Sequence, residues 1–268
     1  MKVGIFGCNG RMGRSLITQV LETESCVLVG GTERSSSSAI GQDIATLVGH
    51  PPIGRLVEQE PRLLFDVADV VIDFSSPEAT FANAALAAET HTALVVGTTG
   101  LESQHTTALA AAAQHAPVLY SPNMSLGMNV LFSLVKRVSH VLDDSYDIEV
   151  FEMHHRSKVD APSGTALELG RAAALGRGRD LAAQRARDGH IGQRQKGHIG
   201  FAVARGGDVI GEHTVLFIAD GERVEMTHKA SARGIFVRGA MRAASWLWEH
   251  RQSGLYSMQD VLGLEGRE

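Results

Sequence analysis

The sequence predicts an α/β protein in two parts: an N-terminal doubly wound parallel sheet, followed by an α+β part around a mixed sheet. Two observations carry this. Up to Asn123, short apolar runs without polar alternation take turns with helical patterns, as buried parallel strands and their crossover helices require. Beyond Asn123, the strand-like segments alternate polar and apolar residues, the mark of a sheet with one covered face.

In order, Lys2-Val3-Gly4-Ile5-Phe6 is a short apolar strand that ends at the glycines Gly7, Gly10 and Gly13. A helix follows with Met12, Leu16, Ile17, Val20 and Leu21 on one face. Residues 26–31 read as a second strand, and the four serines at 35–38 as a polar loop. Residues 68–74 form a buried-looking strand, and Ser75-Ser76-Pro77 then starts an alanine-rich helix that runs to residue 89. Strands at 93–97 and 118–120 flank a helix at about 102–115. A long amphipathic helix is expected from Asn129 to Leu142, then an alternating strand at 147–153. Three more alternating strands fall at 198–205, 213–219 and 223–228, with turns such as Gly206-Gly207-Asp208 between them. A last helix, about 235–248, precedes a short C-terminal segment.

The bulk numbers narrow the function. The chain has 268 residues, 44% of them hydrophobic and 21% charged, and a net charge of −5. That balance lacks the positive field of a nucleic-acid binder. The arginines at 177, 179, 185, 187 and 194 are interleaved with Asp180 and Asp188, and read as a solvated loop rather than a polyanion site. Cys8 and Cys26 are too few for a disulfide framework, and neither has a partner at metal-ligand spacing. No run approaches the roughly 18 apolar residues of a membrane span. The N-terminus runs straight into a strand and a glycine loop, leaving no signal peptide, so a cytoplasmic protein is expected.

Gly7-x-x-Gly10-x-x-Gly13 is a variant of the dinucleotide fingerprint, where glycines permit a tight turn, a close approach to pyrophosphate and close helix packing. The helix start adds N–H groups and a positive dipole end. Glu33, at the end of the second strand, stands where a carboxylate accepts ribose hydroxyls, and Arg34 beside it can grip a 2′-phosphate. The pair predicts use of both NADH and NADPH and leaves the preference open. Cys8 has no basic partner in sequence, so a nucleophilic role is set aside. Gly97-Thr98-Thr99-Gly100 and Ser121-Pro122-Asn123-Met124 end later strands, on the edge where open α/β sheets place ligands.

Residues 152–166 concentrate two histidines, an arginine, a lysine and two acids at a strand-to-helix junction. Thr165 and Glu168 match a capping box, which puts the helix start near Thr165 and its N–H groups, with Ser163 and Gly164, at a carboxylate-binding end. Lys158 adds a positive charge and a possible proton. His154 and His155 point to opposite sides if the strand continues. Adjacent histidines without a further ligand pattern do not make a zinc site, so no metal is expected. An anion-binding and acid/base site is the preferred reading over a charged structural loop.

Taken together, Gly7-Cys8-Asn9-Gly10-Arg11-Met12-Gly13 and the run from His154 to Ala166 resemble the two signatures of the dihydrodipicolinate reductase family. Glu33-Arg34, Gly97-Thr98-Thr99-Gly100, the Arg205 to Thr214 segment and His228-Lys229-Ala230-Ser231 extend the likeness in order along the chain. The resemblance implies an N-terminal Rossmann dinucleotide-binding domain at 1–125, completed by 235–268. It also implies a C-terminal mixed-sheet domain at 126–234 that binds substrate and assembles a homotetramer. Carried over by position, Gly7, Cys8, Asn9, Gly10, Arg11 and Met12 contact the pyrophosphate, and Glu33 and Arg34 the adenosine ribose or its phosphate. Gly97, Thr98, Thr99, Ser121, Pro122, Asn123 and Met124 line the nicotinamide. His154 is the proton donor or acceptor and Lys158 a proton donor, while His155, Lys158, Gly164 and Thr165 hold the carboxylates of a small cyclic dicarboxylate. The implied activity is hydride transfer from NADPH or NADH to the conjugated imine ring, within lysine and diaminopimelate biosynthesis. Two rival readings are another two-domain reductase of a small acid, such as an aspartate dehydrogenase, and a nucleotide-sensing protein without catalysis.

Overall fold

A computed structural model describes residues 1–185 and 187–264; the end of the expected C-terminal segment, residues 265–268, lies outside the described residues. The chain divides into two compact units, Met1–Met124 with Phe236–Gly263, and Ser125–Ile235.

The first unit opens with β1 (Lys2–Phe6), α1 (Arg11–Leu21) and β2 (Val27–Thr32), followed by a 3-10 turn at Ile44–Val48. It continues through β3 (Val57–Glu58), α2 (Pro61–Phe65), β4 (Val70–Asp73), α3 (Pro77–Thr90), β5 (Ala93–Val96), α4 (Ser103–Ala112) and β6 (Pro117–Tyr120). The second unit holds α5 (Leu126–Val141), β7 (Asp147–His154), α6 (Gly164–Gly176), β8 (Ala183–Gln184), β9 (Ile199–Arg205), β10 (Gly211–Ala219) and β11 (Glu222–Ala230). The chain then runs through α7 (Gly234–His250), and β12 (Gly254–Tyr256) and α8 (Met258–Leu262) belong to the first unit again.

The first sheet has seven strands in the order β12-β6-β5-β4-β1-β2-β3, every pair parallel. β4 and β5 are buried along their whole length, because a parallel sheet is covered on both faces. Strand order reverses between β1 and β4, and the carboxyl ends of strands at such a reversal are where open α/β sheets bind ligands. Ser76 caps α3 by accepting from the Ala79 N–H, with Pro77 in the first turn, as its sequence signal indicates. The two-residue β3, three-residue β12 and five-residue α2 were not expected; segments this short carry no readable period.

The second sheet runs β11-β10-β7-β9-β8 and is mixed: β10 is antiparallel to both β7 and β11, while β7–β9 and β9–β8 are parallel. Its inner face carries Ile148, Val150, Phe201, Val215 and Phe217, buried with Phe132 and Leu169 of α5 and α6. β7 alternates half-buried and buried residues strictly, as its sequence predicts.

Three expectations need correction. α5 begins at Leu126 rather than Asn129, because Ser125 caps it by accepting from the Met128 N–H at 3.2 Å. The capping box on Thr165 does not form: Ser163, in extended conformation, caps α6 through the Ala166 N–H at 3.1 Å, and Glu168 pairs instead with Arg171. The solvated reading of the arginine stretch is incomplete: Arg179, Arg185 and Arg187 are exposed, but most of its arginines are also held by ion pairs. Arg177 and Arg179 bind Asp144, Arg187 binds Glu149, and Arg194 binds both Asp147 and Glu149.

Buried Val237, Ala240, Ala244 and Leu247 dock α7 on the first unit, where a Cβ at Gly239 would lie 1.6 Å from the Met124 carbonyl oxygen. Backbone cannot yield as a side chain does, so Gly239→Ala is expected to destabilise the protein by about 3 kcal/mol or more. Urea unfolding measures this, and an unchanged midpoint would show that the helix does not depend on the close approach.

Candidate functional site

The first unit gathers its predicted residues after the carboxyl ends of β1, β2, β5 and β6. Gly7 adopts a left-handed φ of +63°, which L side chains rarely accept, and its carbonyl takes the Gly10 N–H at 3.0 Å. A Cβ at Gly13 would lie 2.2 Å from the same carbonyl, so only glycine lets α1 pack this closely on the turn. No side chain caps α1 at Gly10, and its first turn holds no acid, leaving that helix start suited to an anion. Glu33 reaches back to the loop, its Oε1 accepting the Asn9 N–H at 2.8 Å, while Arg14 donates to the Asn9 Oδ1. Arg11 and Arg34 are exposed, and Met12 is half-buried. The Cys8 side chain is fully buried, and burial, then the Glu33 charge, pushes its thiol pKa up to about 12, which fits a backbone role in the loop and not a nucleophile.

At the β5 and β6 ends the predicted residues divide. Thr99 and Pro122 are exposed and Asn123 is half-buried, whereas Thr98, Ser121 and Met124 turn inward. Gly97 is pressed against the Phe74 ring, which a Cβ would approach to 2.3 Å. Thr98 belongs to a network that sequence reading missed. The fully buried Asp73 carboxylate accepts from the Ser75 N–H and hydroxyl, the Thr80 hydroxyl and the Asn83 amide, and Thr98 Oγ1 lies 3.0 Å from Thr80 Oγ1. An acid closing the apolar run Val70-Val71-Ile72 was the available signal.

In the second unit, strict alternation places Glu152 and His154 on the covered face of β7. Glu152 is fully buried and accepts from His154 Nδ1 at 2.5 Å, from the Ser163 N–H at 3.0 Å, and from Arg205 Nη1 and Nη2 at 2.8 Å each. Burial opposes its charge, but the bonds from His154, Arg205 and Ser163 outweigh it and hold the pKa at about 2. Cross-strand register sets His213 of β10 opposite Glu152 and His228 of β11 opposite His213. The His213 ring meets the His154 ring edge-on at 5.0 Å, and its Nε2 lies 3.2 Å from the Ser163 hydroxyl. Burial, then the His154 charge, pushes the His213 pKa down to about 3, against the pull of Glu152.

The remaining predicted residues surround this cluster. Lys158 Nζ lies 2.7 Å from Asp160 Oδ1, and the half-buried His155 follows directly after β7. Gly164 is exposed and Thr165 half-buried, at the very start of α6. Together these supply one cation, a histidine and a helix N-terminus, the equipment to hold a carboxylate and move a proton. Glu152, Arg205, His213 and Ser163 are the polar residues that the sequence did not mark as a unit; His213 on the apolar side of an alternating strand was the one local sign. Among the described residues no group of His, Cys, Asp or Glu could hold a metal ion.

His213 has a consequence for stability. It stays neutral in the fold down to about pH 3, whereas unfolded histidine takes a proton near 6.5. Between those values the unfolded chain binds more protons, so stability falls with falling pH, by up to about 1.4 kcal/mol per pH unit for this one group. Urea midpoints across this range are expected to fall less steeply for His213→Gln; an equal slope in both proteins would refute the assignment.

Family comparisons agree with this geometry. The chain matches the model "Dihydrodipicolinate reductase, N-terminus" over residues 1–124 and "Dihydrodipicolinate reductase, C-terminus" over residues 127–262. It is 47% identical over 266 residues to the 4-hydroxy-tetrahydrodipicolinate reductase of Aromatoleum aromaticum, covering 98% of this chain and 96% of that one. The enzyme of the same name from Rhodopseudomonas palustris strain BisB18 is 50% identical, with 98% of each chain covered. Among solved structures, a dipicolinate-bound dihydrodipicolinate reductase from Paenisporosarcina sp. TG-14 superposes with a TM-score of 0.77 at 22% identity, over 97% of this chain and 98% of that one. An aspartate dehydrogenase from Thermotoga maritima shares the fold at a TM-score of 0.51 and 14% identity, over 92% and 96% of the two chains, so architecture alone does not separate these enzymes. The matches in sequence, which span both units and nearly every residue, do separate them: this chain belongs to the dihydrodipicolinate reductase family.

Proposed function

We propose that the protein is a 4-hydroxy-tetrahydrodipicolinate reductase that uses NADPH or NADH. The observation that carries this is the pairing, in one family-matched chain, of an uncapped glycine loop with a histidine, lysine and helix-start cluster. In this reading the first unit, Met1–Met124 with the returning C-terminal elements, binds the cofactor, and Ser125–Ile235 binds substrate. Gly7 to Met12 hold the pyrophosphate through loop backbone and the α1 start, and the left-handed Gly7 and the crowded Gly13 fit that load. Glu33 and Arg34 meet the adenosine ribose or its phosphate, and Gly97 to Thr99 with Ser121 to Met124 border the nicotinamide. For the inward-facing Thr98 and Met124 this means contact through backbone.

The bound cofactor supplies the hydride. The chain's own work is electrostatic and protonic. Lys158, His155 and the N–H groups of Gly164 and Thr165 neutralise and orient the substrate carboxylates. His154, held on Glu152 through Nδ1, presents Nε2 for proton transfer to the ring, and Lys158 is a second proton donor. A homotetramer is supported by the outer face of the second sheet, where Phe151, Met153, Leu216 and Ile218 are only half-buried in the single chain. The reading places the enzyme in the cytoplasm, in the lysine and diaminopimelate pathway; among the described residues no helix is long and apolar enough to cross a membrane.

The test is oxidation of NADPH and NADH with substrate made in situ by the preceding synthase from pyruvate and aspartate semialdehyde. Turnover that stops when pyruvate is omitted is expected. Folded protein that binds both cofactors and turns over neither would overturn the reading. Lys158→Ala is expected to lose about 100-fold or more in activity while NADPH affinity changes little. Equal losses in both, with the fold intact, would count against the role given to Lys158.

A further inference from the structure

A fully buried polar contact in the second unit lies behind the proton-transfer histidine, not in front of it. Glu152 is an acceptor with two oxygens, and both are taken. The Arg205 guanidinium forks across them, the Ser163 N–H occupies Oε1, and His154 Nδ1 occupies Oε2. A carboxylate clasped by a bidentate guanidinium has no proton to give, so the imidazole must be the donor. The Nδ1 proton is therefore assigned by its partner, and the exchangeable site is Nε2.

His154 is buried, and the second nitrogen is crowded by backbone. A Cβ at position 211 would come within 3.0 Å of His154 Nε2, so the missing side chain of Gly211 is what keeps that nitrogen from being covered. Arg205 is fixed in turn, its Nη2 also donating to the Asp160 carbonyl at 2.7 Å and its strand partner being His154 itself. The other ionisable neighbours are His213 on β10, edge-on to the imidazole, and Lys158, whose charge is felt at His213. Neither competes for Nδ1.

We propose that Glu152, clamped by Arg205, is the positioning residue of the reaction: it fixes the tautomer and ring orientation of His154 so that Nε2 faces the substrate. The proposal rests on the reading of His154 as the proton-transfer group. Its signature is a loss of turnover without a loss of binding. An amide at 152 keeps the shape but can no longer enforce one tautomer, and it leaves Arg205 without its counter-charge. A carboxylate behind a catalytic histidine governs rate in this way in unrelated enzymes.

The experiment compares wild type, Glu152→Gln, His154→Gln and the double variant, with kinetics in the full-length protein and 15N–1H spectra of the histidine rings. Glu152→Gln is expected to lower kcat by about 10- to 1,000-fold, with KM and NADPH affinity within about threefold of wild type. The double variant should be no slower than His154→Gln alone, and the Nδ1–H signature of His154 should weaken. If His154→Gln is slow while Glu152→Gln keeps wild-type kcat and tautomer, the positioning role is wrong and the proton-transfer reading stands. Should the two losses multiply in the double variant, Glu152 acts structurally and the proposal fails. If His154→Gln turns over like wild type, the proton-transfer reading itself falls, and the proposal with it. Arg205→Lys, which keeps the charge but loses the fork, carries the same comparison if Glu152→Gln does not fold; it too must slow kcat without adding to His154→Gln.

Discussion

A carboxylate withdrawn from water must have its charge fully answered by donors, and each unit of this protein is organised around one such group. In the first unit it is Asp73, at the last position of β4; in the second it is Glu152, near the end of β7. Asp73 ties the β4 end to the start of α3 and to the residue after Gly97. Glu152 ties β7 to β9 and to the start of α6. In both, neighbouring segments are lashed to a rigid strand end by hydrogen bonds that cannot be given up cheaply. Removing one donor would leave a buried charge short of a partner, which costs more than the bond contributed.

Steric exclusion does the complementary work. Gly13 allows α1 to touch the Gly7 turn, Gly97 accepts the Phe74 ring, and Gly211 leaves room at His154. At each point a methyl group would press on the Gly7 turn, the Phe74 ring or the His154 imidazole. The carboxylates fix where the loops are, and the missing side chains fix how close they come.

Much of this was readable before any coordinates. Local signals with a short reach did well: the glycine loop between an apolar strand and an amphipathic helix, Ser76 before Pro77, and the polar–apolar alternation of β7 all led to the right element. The capping signal did less well. Spacing pointed to Thr165, and backbone conformation, which no spacing rule specifies, gave the cap to Ser163. Pairings set by sheet register were out of reach. Arg205 and Glu152 are 53 positions apart, and only the parallel registration of β9 on β7 brings them together. The histidines at 154 and 155 could be named as chemistry; the acid bonded to one of them could not, because its partners come from β7, β9 and the start of α6 at once.

The order of the first sheet has a further consequence for how the molecule is made. β12 pairs with β6 in parallel, so the edge of a sheet begun by the opening residues is closed by a segment synthesised only after the entire second unit. During vectorial synthesis the first unit therefore waits with the β6 edge unpaired and without the α7 surface that buries Val237, Ala240 and Leu247. Such an edge is a template for pairing with another chain, and the late, non-local closure makes the nascent half-sheet the stage most exposed to misassembly.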